Sequence, residues 1–324
     1  LLPNVPEFVI AANGIWRAGG VVVAISPLMV EHEVDKFLQH TDCRFVICLD
    51  LLAHMVERED WSNENDSPLE KVLLVSIREN LPAHKQLGYL SKRHQSSGSW
   101  TMPTNDRRGW FWDELNETES RLLPVSVNTQ TAPACILPTG GTTGSPHAVT
   151  LSHQNMVANA WQQYMWSSKQ YGHEILMGVL PFFLCYGVST AILGGVMMGA
   201  TLILHDRFNT QQIMQLVEQE RPTTFHAVPS MLVAMNMKMR SRPIDLSSLK
   251  WVISGGASLD ESVAREFAER SGALVVEGYG LSEASPVTHV GDLFAPQQYG
   301  VIGLPLPETE CQIVDVETGA PVQP

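Results

Sequence analysis

The sequence predicts an α/β fold, because strand-length apolar runs alternate along the chain with segments of helical periodicity. The chain has 324 residues, of which 44% are hydrophobic, and this is enough to bury a large core. Glycine-rich loops follow three of the apolar runs, an arrangement expected where parallel strands end. The predicted strands are 21–25, 45–48, 72–75, 134–137, 176–180, 200–204, 223–227, 251–254 and 274–276.

The segment from about 60 to 128 differs from the rest of the first half of the chain. It is polar, rich in Ser, Asn and Pro, and punctuated by tryptophans such as Trp61 and Trp100. Long connections of this composition run over protein surfaces. We therefore interpret it as a surface excursion that rejoins the core near Ala132.

Two segments are clear amphipathic helices. Ser152 can cap the first, and the second runs from Asp260 to Ser271, with Val263 and Phe267 on one face and Gly272 available as its end cap. The predicted apolar face of the first helix consists of Met156, Val157, Ala160, Trp161, Tyr164 and Met165. Its predicted polar face consists of Gln154, Asn155, Asn159, Gln162 and Gln163.

The stretch 175–204 carries no Asp, Glu, Lys or Arg apart from its flanks and is long enough to suggest a membrane span. However, Pro181 and several glycines, including Gly187 and Gly199, divide it into a strand, a loop, a short helix and a second strand. That punctuation predicts a buried part of the α/β core instead.

Charge and cysteine content exclude several classes of function. The net charge is −13 without a long basic block, which argues against nucleic-acid binding through the phosphate backbone. The five cysteines form no CxxC pair, so the sequence indicates neither a disulfide framework nor a zinc site. We expect a protein of the reducing cytoplasm.

The run from Leu137 to Ala148 concentrates glycines and hydroxyls between two apolar segments. Glycines let backbone N–H groups approach a ligand, and the hydroxyls add donors, so the run predicts a phosphate-binding loop. Where a lysine would be expected near its end, the chain has His147, whose imidazole is mostly neutral at pH 7. The loop residues are Thr139, Gly140, Gly141, Thr142, Thr143, Gly144 and Ser145.

Two further loops follow predicted strands. One is 254–257, with the sequence SGGA, and the other is 277–283, with the sequence EGYGLSE. The second offers an aromatic ring at Tyr279, a hydroxyl at Ser282 and a carboxylate at Glu283, groups that suit a base, a phosphate and Mg²⁺. No Walker A run and no Gly-x-Ser-x-Gly elbow is present, which disfavours a P-loop NTPase and a serine hydrolase.

Taken together in chain order, these loops resemble the large N-terminal domain of the adenylate-forming superfamily, with the strongest similarity to long-chain fatty acyl-CoA synthetases. The resemblance covers almost the whole chain. Its blocks are LPNVPEF at 2–8, RAGGV at 17–21, SPL at 26–28, the loop at 139–148, LPFF at 180–183 with YG at 186–187, RPTTF at 221–225 with VP at 228–229, SGGA at 254–257, GYGLSE at 278–283, and GLPLP at 303–307 with IVD at 313–315.

The resemblance implies layered αβαβα sheets and a two-step reaction. A carboxylate would attack ATP to give an acyl adenylate and pyrophosphate, and the thiol of coenzyme A would then displace AMP. By the same resemblance, the loop at 139–144 would hold the ATP phosphates, Ser282 would contact the α-phosphate, and Glu283 would ligate Mg²⁺. The implied nucleotide-binding residues also include Gly255, Gly256, Ala257, Glu277, Gly278, Tyr279 and Gly280. The implied walls of an acyl tunnel are Phe182, Phe183, Tyr186, His226, Val228 and Gly278.

The chain departs from the family pattern at three points. His147 and Ala148 stand where Lys and Gly are usual, Leu184 stands where a His commonly follows an aromatic residue, and Ser282 replaces a Thr. A noncatalytic ligand-binding member therefore remains an alternative, as does a ligase that passes the acyl group to a carrier protein. A lipid substrate leaves peripheral membrane contact open, and the oligomeric state is not predicted.

We expect three parts in the chain: residues 1–130, which include the surface excursion; residues 131–298, which carry the nucleotide loops; and residues 299–324, the start of a small β subdomain. Leu1 is not an initiator Met and Pro324 follows an unfinished turn, so we expect a fragment truncated at both ends. The C-terminal lid domain of the family would then be absent, and the fragment alone would be inactive.

Overall fold

A computed structural model describes residues 1–56, 69–119, 125–139 and 147–322, with the backbone alone at 139 and 147. Contacts divide the chain into two compact units. Unit 1 comprises Leu1–His153 and Phe182–Leu184, and unit 2 comprises Gln154–Pro181 and Cys185–Pro324.

Unit 1 contains two three-stranded sheets and the helices beside them. Its helices are α1 (Pro6–Arg17), α2 (Glu31–His40), α3 (Ala83–Ser97) and α4 (Phe111–Glu117), with 3₁₀ turns at Asp50–Met55 and Arg78–Asn80. Its strands are β1 (Val22–Val23), β2 (Phe45–Leu49), β3 (Lys71–Val75), β4 (Arg108–Trp110), β5 (Pro133–Thr139) and β6 (His147–Ser152).

One sheet of unit 1 has the strand order β2-β3-β4 and is parallel throughout. Val46, Val72 and Leu74 of this sheet are buried against Val34 of α2. In the other sheet, β5 pairs with β1 in parallel and with β6 in antiparallel orientation. Because β5 pairs with β1 and β6 pairs with β5, this sheet joins residues 22–23 to residues 133–152 within unit 1.

The predicted surface excursion is only partly an excursion, since its described residues include β3, α3, β4 and α4. A buried ion pair explains why a polar segment folds here. The Arg93 guanidinium lies 3.0 Å from the Asp50 carboxylate, and the Tyr89 hydroxyl donates to the same carboxylate. Asp50 is fully buried, and a buried charge requires such partners. Residues 57–68 and 120–124 of the segment lie outside the described residues.

Unit 2 is built on a seven-stranded sheet of order β13-β12-β11-β10-β9-β7-β8. Strands β7 to β11 run parallel, and β12 and β13 are antiparallel at one edge. The strands are β7 (Ile175–Gly178), β8 (Thr201–Leu204), β9 (Thr224–Ala227), β10 (Trp251–Ser254), β11 (Leu274–Gly280), β12 (Val287–Val290) and β13 (Leu304–Pro305).

The helices of unit 2 pack on this sheet. They are α5 (His153–Trp166), whose first residue still belongs to unit 1, α6 (Cys185–Gly187), a π-helical segment (Val188–Leu193), α7 (Gly194–Met198), α8 (Thr210–Glu220), α9 (Pro229–Ser241), α10 (Glu261–Ser271) and a 3₁₀ turn (Ser282–Ala284). Fully buried Phe225, Leu232 and Phe267 join β9, α9 and α10 in one core. The predicted β-α-β organisation is therefore confirmed.

The prediction for α10 is confirmed at both ends. The Asp260 carboxylate accepts the Ser262 backbone N–H at 2.8 Å, and Gly272 has a φ of 75°, the left-handed conformation of a helix end. Phe267 is fully buried, as its place on the apolar face requires.

The predicted faces of α5 are wrong in part. Asn159 and Gln163 are buried, whereas Val157, Trp161 and Met165 are about half exposed. The two amides can be buried because hydrogen bonds satisfy them, and this removes the usual cost of burying a polar group.

The stretch 175–204 folds into β7, a helical segment and β8, as its punctuation predicts. Among the described residues, none of the helices is long and apolar enough to cross a membrane.

Candidate active site

Three loops of unit 2 leave the same edge of the parallel sheet. Ser254 at the end of β10 is in register with Ala227 of β9 on one side and with Glu277 of β11 on the other. The loops after β9 and β10 therefore start side by side, next to the part of β11 that continues to Gly280, in the position where open α/β sheets bind ligands.

The loop after β10 approaches its neighbours too closely for a side chain at its first glycine. A Cβ at Gly255 would lie 3.1 Å from the Tyr186 ring and 3.1 Å from the Gly278 carbonyl oxygen. Gly256 has a φ of +80°, a conformation that other residues rarely adopt. Gly255 is buried, whereas Gly256 and Ala257 are exposed, and the exposed part of the loop is open to a flat ligand such as a nucleotide base.

Tyr186 and His226 line the base of this loop. The Tyr186 hydroxyl donates to the Ile253 carbonyl oxygen at 3.0 Å, and its ring meets the His226 imidazole edge to face at 6.0 Å. Burial raises the pKa of Tyr186 and lowers the pKa of His226 to about 4, so both side chains are uncharged at neutral pH. These neutral rings suit an apolar ligand.

The Glu277 side chain is hydrogen-bonded to the loop that precedes α10. Its carboxylate accepts the Leu259 backbone N–H at 3.1 Å, and Glu277 itself lies within β11. The contact ties the loop after β10 to the neighbouring strand. The carboxylate is thus engaged by the protein itself.

Tyr279, near the end of β11, has a side chain of which 48% is exposed. It contacts His289 edge to face at 6.1 Å, and its carbonyl oxygen accepts the Thr288 hydroxyl at 3.2 Å. The Tyr279 ring is thereby fixed at one side while remaining open to a stacking partner.

Ser282 and Glu283 lie in a short 3₁₀ turn that closes on itself. The Leu281 N–H donates to the Pro286 carbonyl oxygen at 3.0 Å, and the Ala284 N–H donates to the Leu281 carbonyl oxygen at 2.8 Å. The Glu283 side chain is exposed and makes no ion pair with another described residue. It is therefore an available oxygen ligand.

Cys185 lies beside this turn. Burial raises the pKa of its thiol to about 12; a hydrogen bond with the Ser282 side chain acts in the opposite direction, and the negative charge of Glu283 raises the pKa further. Burial therefore favours the protonated thiol of Cys185 beside the turn.

Residues 139 and 147 face each other in register where β5 and β6 pair. The predicted phosphate-loop residues Gly140, Gly141, Thr142, Thr143, Gly144 and Ser145 lie outside the described residues. Of the predicted tunnel residues, Phe182 is fully buried inside unit 1, where its ring meets Phe8 at 5.6 Å and its N–H donates to the Asn4 side chain. Phe183 is half-buried.

Comparison with known proteins decides the family. The model of the AMP-binding enzyme family matches residues 1–324. The chain belongs to the AMP-binding enzyme family. The resemblance that the sequence motifs predict is confirmed by this match.

Relatives within the AMP-binding family include enzymes of different substrate classes. A long-chain-fatty-acid–CoA ligase of Bacillus subtilis (strain 168) is 32% identical over 326 residues, which cover 98% of this chain and 56% of that ligase. 4-Coumarate–CoA ligase 1 of Oryza sativa subsp. japonica is 28% identical over 337 residues, which cover 98% and 53%. The chain spans about half the length of these relatives.

Solved structures share the fold of this AMP-binding chain. A long-chain-fatty-acid-CoA ligase from Archaeoglobus fulgidus matches with a TM-score of 0.80 at 19% identity, over 99% of this chain and 59% of that chain. ATP-bound MatB from Rhodopseudomonas palustris matches with a TM-score of 0.75 at 20% identity, over 99% and 56%. The predicted α/β fold of the acyl-CoA synthetase type is confirmed.

The sequence did not predict the burial of the two α5 amides of this AMP-binding chain, Asn159 and Gln163. Asn159 lies one helical turn before Gln163, on the same face as buried Met156 and Ala160. The spacing of the two amides on an otherwise apolar face is the signal that could have identified them.

Gly280 is expected to be essential to the shape of the turn that carries Ser282 and Glu283. A Cβ at this position would lie 2.0 Å from the Pro286 carbonyl oxygen, which is backbone and cannot move aside alone. Gly280→Ala should therefore lower the free energy of unfolding by about 1–3 kcal/mol or more, measured by urea unfolding.

Gly14→Ala is the matched control, because a Cβ at Gly14 meets nothing within 4 Å and the residue lies inside α1. This variant should be stabilised by about 0.5–1 kcal/mol. Equal stability of the two variants would contradict the proposed close approach at Gly280.

Proposed function

We propose that the whole protein activates a carboxylic acid with ATP and transfers the acyl group to coenzyme A. Membership of the AMP-binding family supports this, together with the three adjacent loops at the strand ends of unit 2. In the first step, a carboxylate oxygen attacks the α-phosphorus and pyrophosphate leaves. In the second step, the coenzyme A sulfur attacks the acyl carbon, the bond to the adenylate oxygen breaks, and AMP leaves.

The residues of this chain would contribute position and charge. Gly255, Gly256 and Ala257 would receive one face of adenine, and the half-exposed Tyr279 ring would receive the other. Ser282 would donate a hydrogen bond to the α-phosphate. Fixed donors of this kind stabilise the charge that develops on a transferring phosphoryl group without further reorganisation.

The carboxylate of Glu283 fits a magnesium site. It is an exposed, unpaired oxygen ligand at the turn that would face the phosphates, and Mg²⁺ prefers oxygen ligands shared between protein, water and phosphate. No group of three or more His, Cys, Asp or Glu side chains suited to a metal lies within the described ranges. A bound Mg²⁺ supplies charge neutralisation at the phosphates.

The proposed acid is a medium- to long-chain fatty acid. The half-buried Tyr186 ring and the buried, uncharged His226 favour an apolar acyl group, and the Tyr186 hydroxyl donates to the Ile253 carbonyl oxygen. The Bacillus subtilis relative, named as a long-chain-fatty-acid–CoA ligase, supports the same substrate class.

ATP–pyrophosphate exchange by the full-length protein tests this proposal. Octanoate, dodecanoate and hexadecanoate should support exchange with a higher kcat/KM than 4-coumarate does. A preference for 4-coumarate would overturn the substrate class, and exchange with none of these acids would overturn the activity.

His147 is expected to substitute in part for the usual lysine of the phosphate loop. Nearby phosphates favour the charged imidazole, so activity should fall as His147 loses its proton between pH 6 and 8. His147→Lys should raise ATP–pyrophosphate exchange about 10-fold at pH 8 and flatten that fall, since a lysine keeps its charge.

His205→Lys is the matched control, because His205 lies in unit 2 after β8 and has no place in the proposed site. This variant should retain the exchange rate and its pH profile. An unchanged profile in His147→Lys would mean that His147 has no role at the phosphates.

A noncatalytic ligand-binding member is the second candidate, and the replacement of the usual Lys and His by His147 and Leu184 favours it. Leu184 is exposed and cannot donate a hydrogen bond. Such a protein would bind ATP or an acyl adenylate in equilibrium dialysis without any pyrophosphate exchange. A ligase that acylates a carrier protein would instead show exchange but no acyl-CoA formation.

A further inference from the structure

A cluster of three polar side chains is buried in unit 2. Asn159 and Gln163 of α5 and Ser189 of the π-helical segment have relative exposures of 2%, 8% and 1%. The side-chain amide nitrogen of Gln163 donates to the Ser189 hydroxyl at 2.6 Å and to the side-chain oxygen Oδ1 of Asn159 at 3.1 Å. The Ser189 hydroxyl donates to the same Asn159 oxygen at 3.0 Å. The cluster is thus a connected network, which makes its geometry well defined.

Asn159 connects this network to β12. The side-chain nitrogen of Asn159 donates to the backbone carbonyl oxygen of Val287 at 2.7 Å. The side-chain oxygen of Asn159 accepts the backbone N–H of Val287 at 3.4 Å. The same Asn159 nitrogen also donates to the side-chain oxygen of Gln162 at 2.9 Å. The Asn159 amide therefore uses both of its donors, and its oxygen accepts three hydrogen bonds.

Val287 directly follows the turn that holds Ser282 and Glu283. The carbonyl oxygen of the preceding Pro286 closes the turn by accepting the Leu281 N–H at 3.0 Å, and it lies against Gly280. A displacement of Val287 would therefore move the residue on which the turn closes.

Ser189 belongs to a different part of the site. It lies three residues after Tyr186, and Thr190 beside it donates its hydroxyl to the Tyr186 carbonyl oxygen at 2.8 Å. The segment Val188–Leu193 is π-helical, an uncommon conformation that is frequent at functional sites. Tyr186 in turn packs against the backbone of Gly255.

We propose that Asn159 is a positioning residue that couples the turn carrying Ser282 and Glu283 to the helical segment carrying Tyr186. Its amide holds Val287 on one side and Ser189 on the other, so the nucleotide and acyl parts of the site share one buried support. The inference rests on the proposed function for its kinetic consequence, but the coupling itself is a property of the fold.

Hydrogen exchange of the turn in the full chain tests the coupling without using activity. Asn159→Ala should raise the exchange rates of the Leu281, Ala284 and Ser285 amides by about 10-fold, because Val287 loses its support. Asn236→Ala is the matched control. Asn236 is equally buried, at 2%, and its amide donates to the Val263 carbonyl oxygen between α9 and α10. This control should leave the three amides of the turn protected.

Kinetics of the full-length protein then separate the two sides of the cluster. Asn159→Ala removes the two hydrogen bonds that the Asn159 side chain donates and the three that it accepts, so it should raise KM for both ATP and the carboxylic acid by about 10-fold or more. Ser189→Ala leaves the Asn159–Val287 contacts intact, so it should raise KM for the acid while the turn stays protected.

Unchanged exchange of the turn amides in Asn159→Ala would overturn the coupling, and so would the same loss of protection in Asn236→Ala. If Asn159→Ala does not fold, Ser189→Ala provides the test. Equal rises of the KM for ATP and the KM for the acid in that variant would contradict the proposed difference between the two sides of the cluster. If no acid supports turnover, the proposed function fails while the exchange result still reports on the coupling.

Discussion

Glu283→Gln should lower the rate of ATP–pyrophosphate exchange by the full-length protein about 100- to 1,000-fold. Glutamine keeps the size of the side chain but removes the negative charge that would hold Mg²⁺ at the phosphates. The Glu283 side chain is exposed and unpaired among the described residues, so its replacement should leave the fold intact. The loss should therefore appear in the exchange rate and be partly reversed by higher Mg²⁺ concentrations.

Glu310→Gln is the matched control, because Glu310 is also an exposed carboxylate of unit 2. It should retain the exchange rate at all Mg²⁺ concentrations. A similar rate of ATP–pyrophosphate exchange for both variants would show that Glu283 does not hold Mg²⁺.

Arg93→Met should lower the free energy of unfolding by about 3–5 kcal/mol, because it leaves the Asp50 carboxylate without its counter-charge. Asp50 is fully buried, and the Arg93 guanidinium 3.0 Å away supplies the only opposite charge that the described residues place beside it. Arg93 also donates to the Trp100 carbonyl oxygen, so the end of α3 should loosen as well. Urea unfolding of the full chain measures the loss.

Arg44→Met is the matched control in unit 1. The Arg44–Glu70 pair is 62% and 50% exposed, so solvent screens it and Arg44→Met should change the free energy of unfolding much less than Arg93→Met does. The double variant Asp50→Leu with Arg93→Met should recover much of the loss, because no buried charge remains. If Arg93→Met and Arg44→Met lowered the free energy of unfolding equally, burial of the Asp50–Arg93 pair would not make it more important to stability.

The strands of the parallel sheets could be predicted from the sequence because each is a short apolar run bounded by turn residues. Trp251–Ser254 is observed with the predicted bounds, and β2, β3 and β9 differ by one residue at an end. Helix α10 was predictable because its cap residues, Asp260 and Gly272, act locally. Such features depend on residues near each other in sequence, so no tertiary contact is needed to find them.

The segment after residue 60 and the buried face of α5 could not be predicted in this way. Arg93 is polar and indicates a surface, yet its partner Asp50 is 43 residues away in sequence. Asn159 is buried because Val287, 128 residues away, offers both a donor and an acceptor. In each case the burial of a polar side chain depends on a partner that composition and periodicity do not reveal.

The sequence by itself determined the α/β class, the family and the residue types of the loops at 254–257 and 277–283. These properties depend on local chemistry, namely apolar periodicity, glycines and the order of short motifs. Only the tertiary structure decided that Glu277 binds Leu259, that Tyr186 covers Gly255, and that Asn159 supports Val287. The physical reason is that a polar group can be buried only where folding brings a hydrogen-bond partner to it, and such partners are distant in the chain.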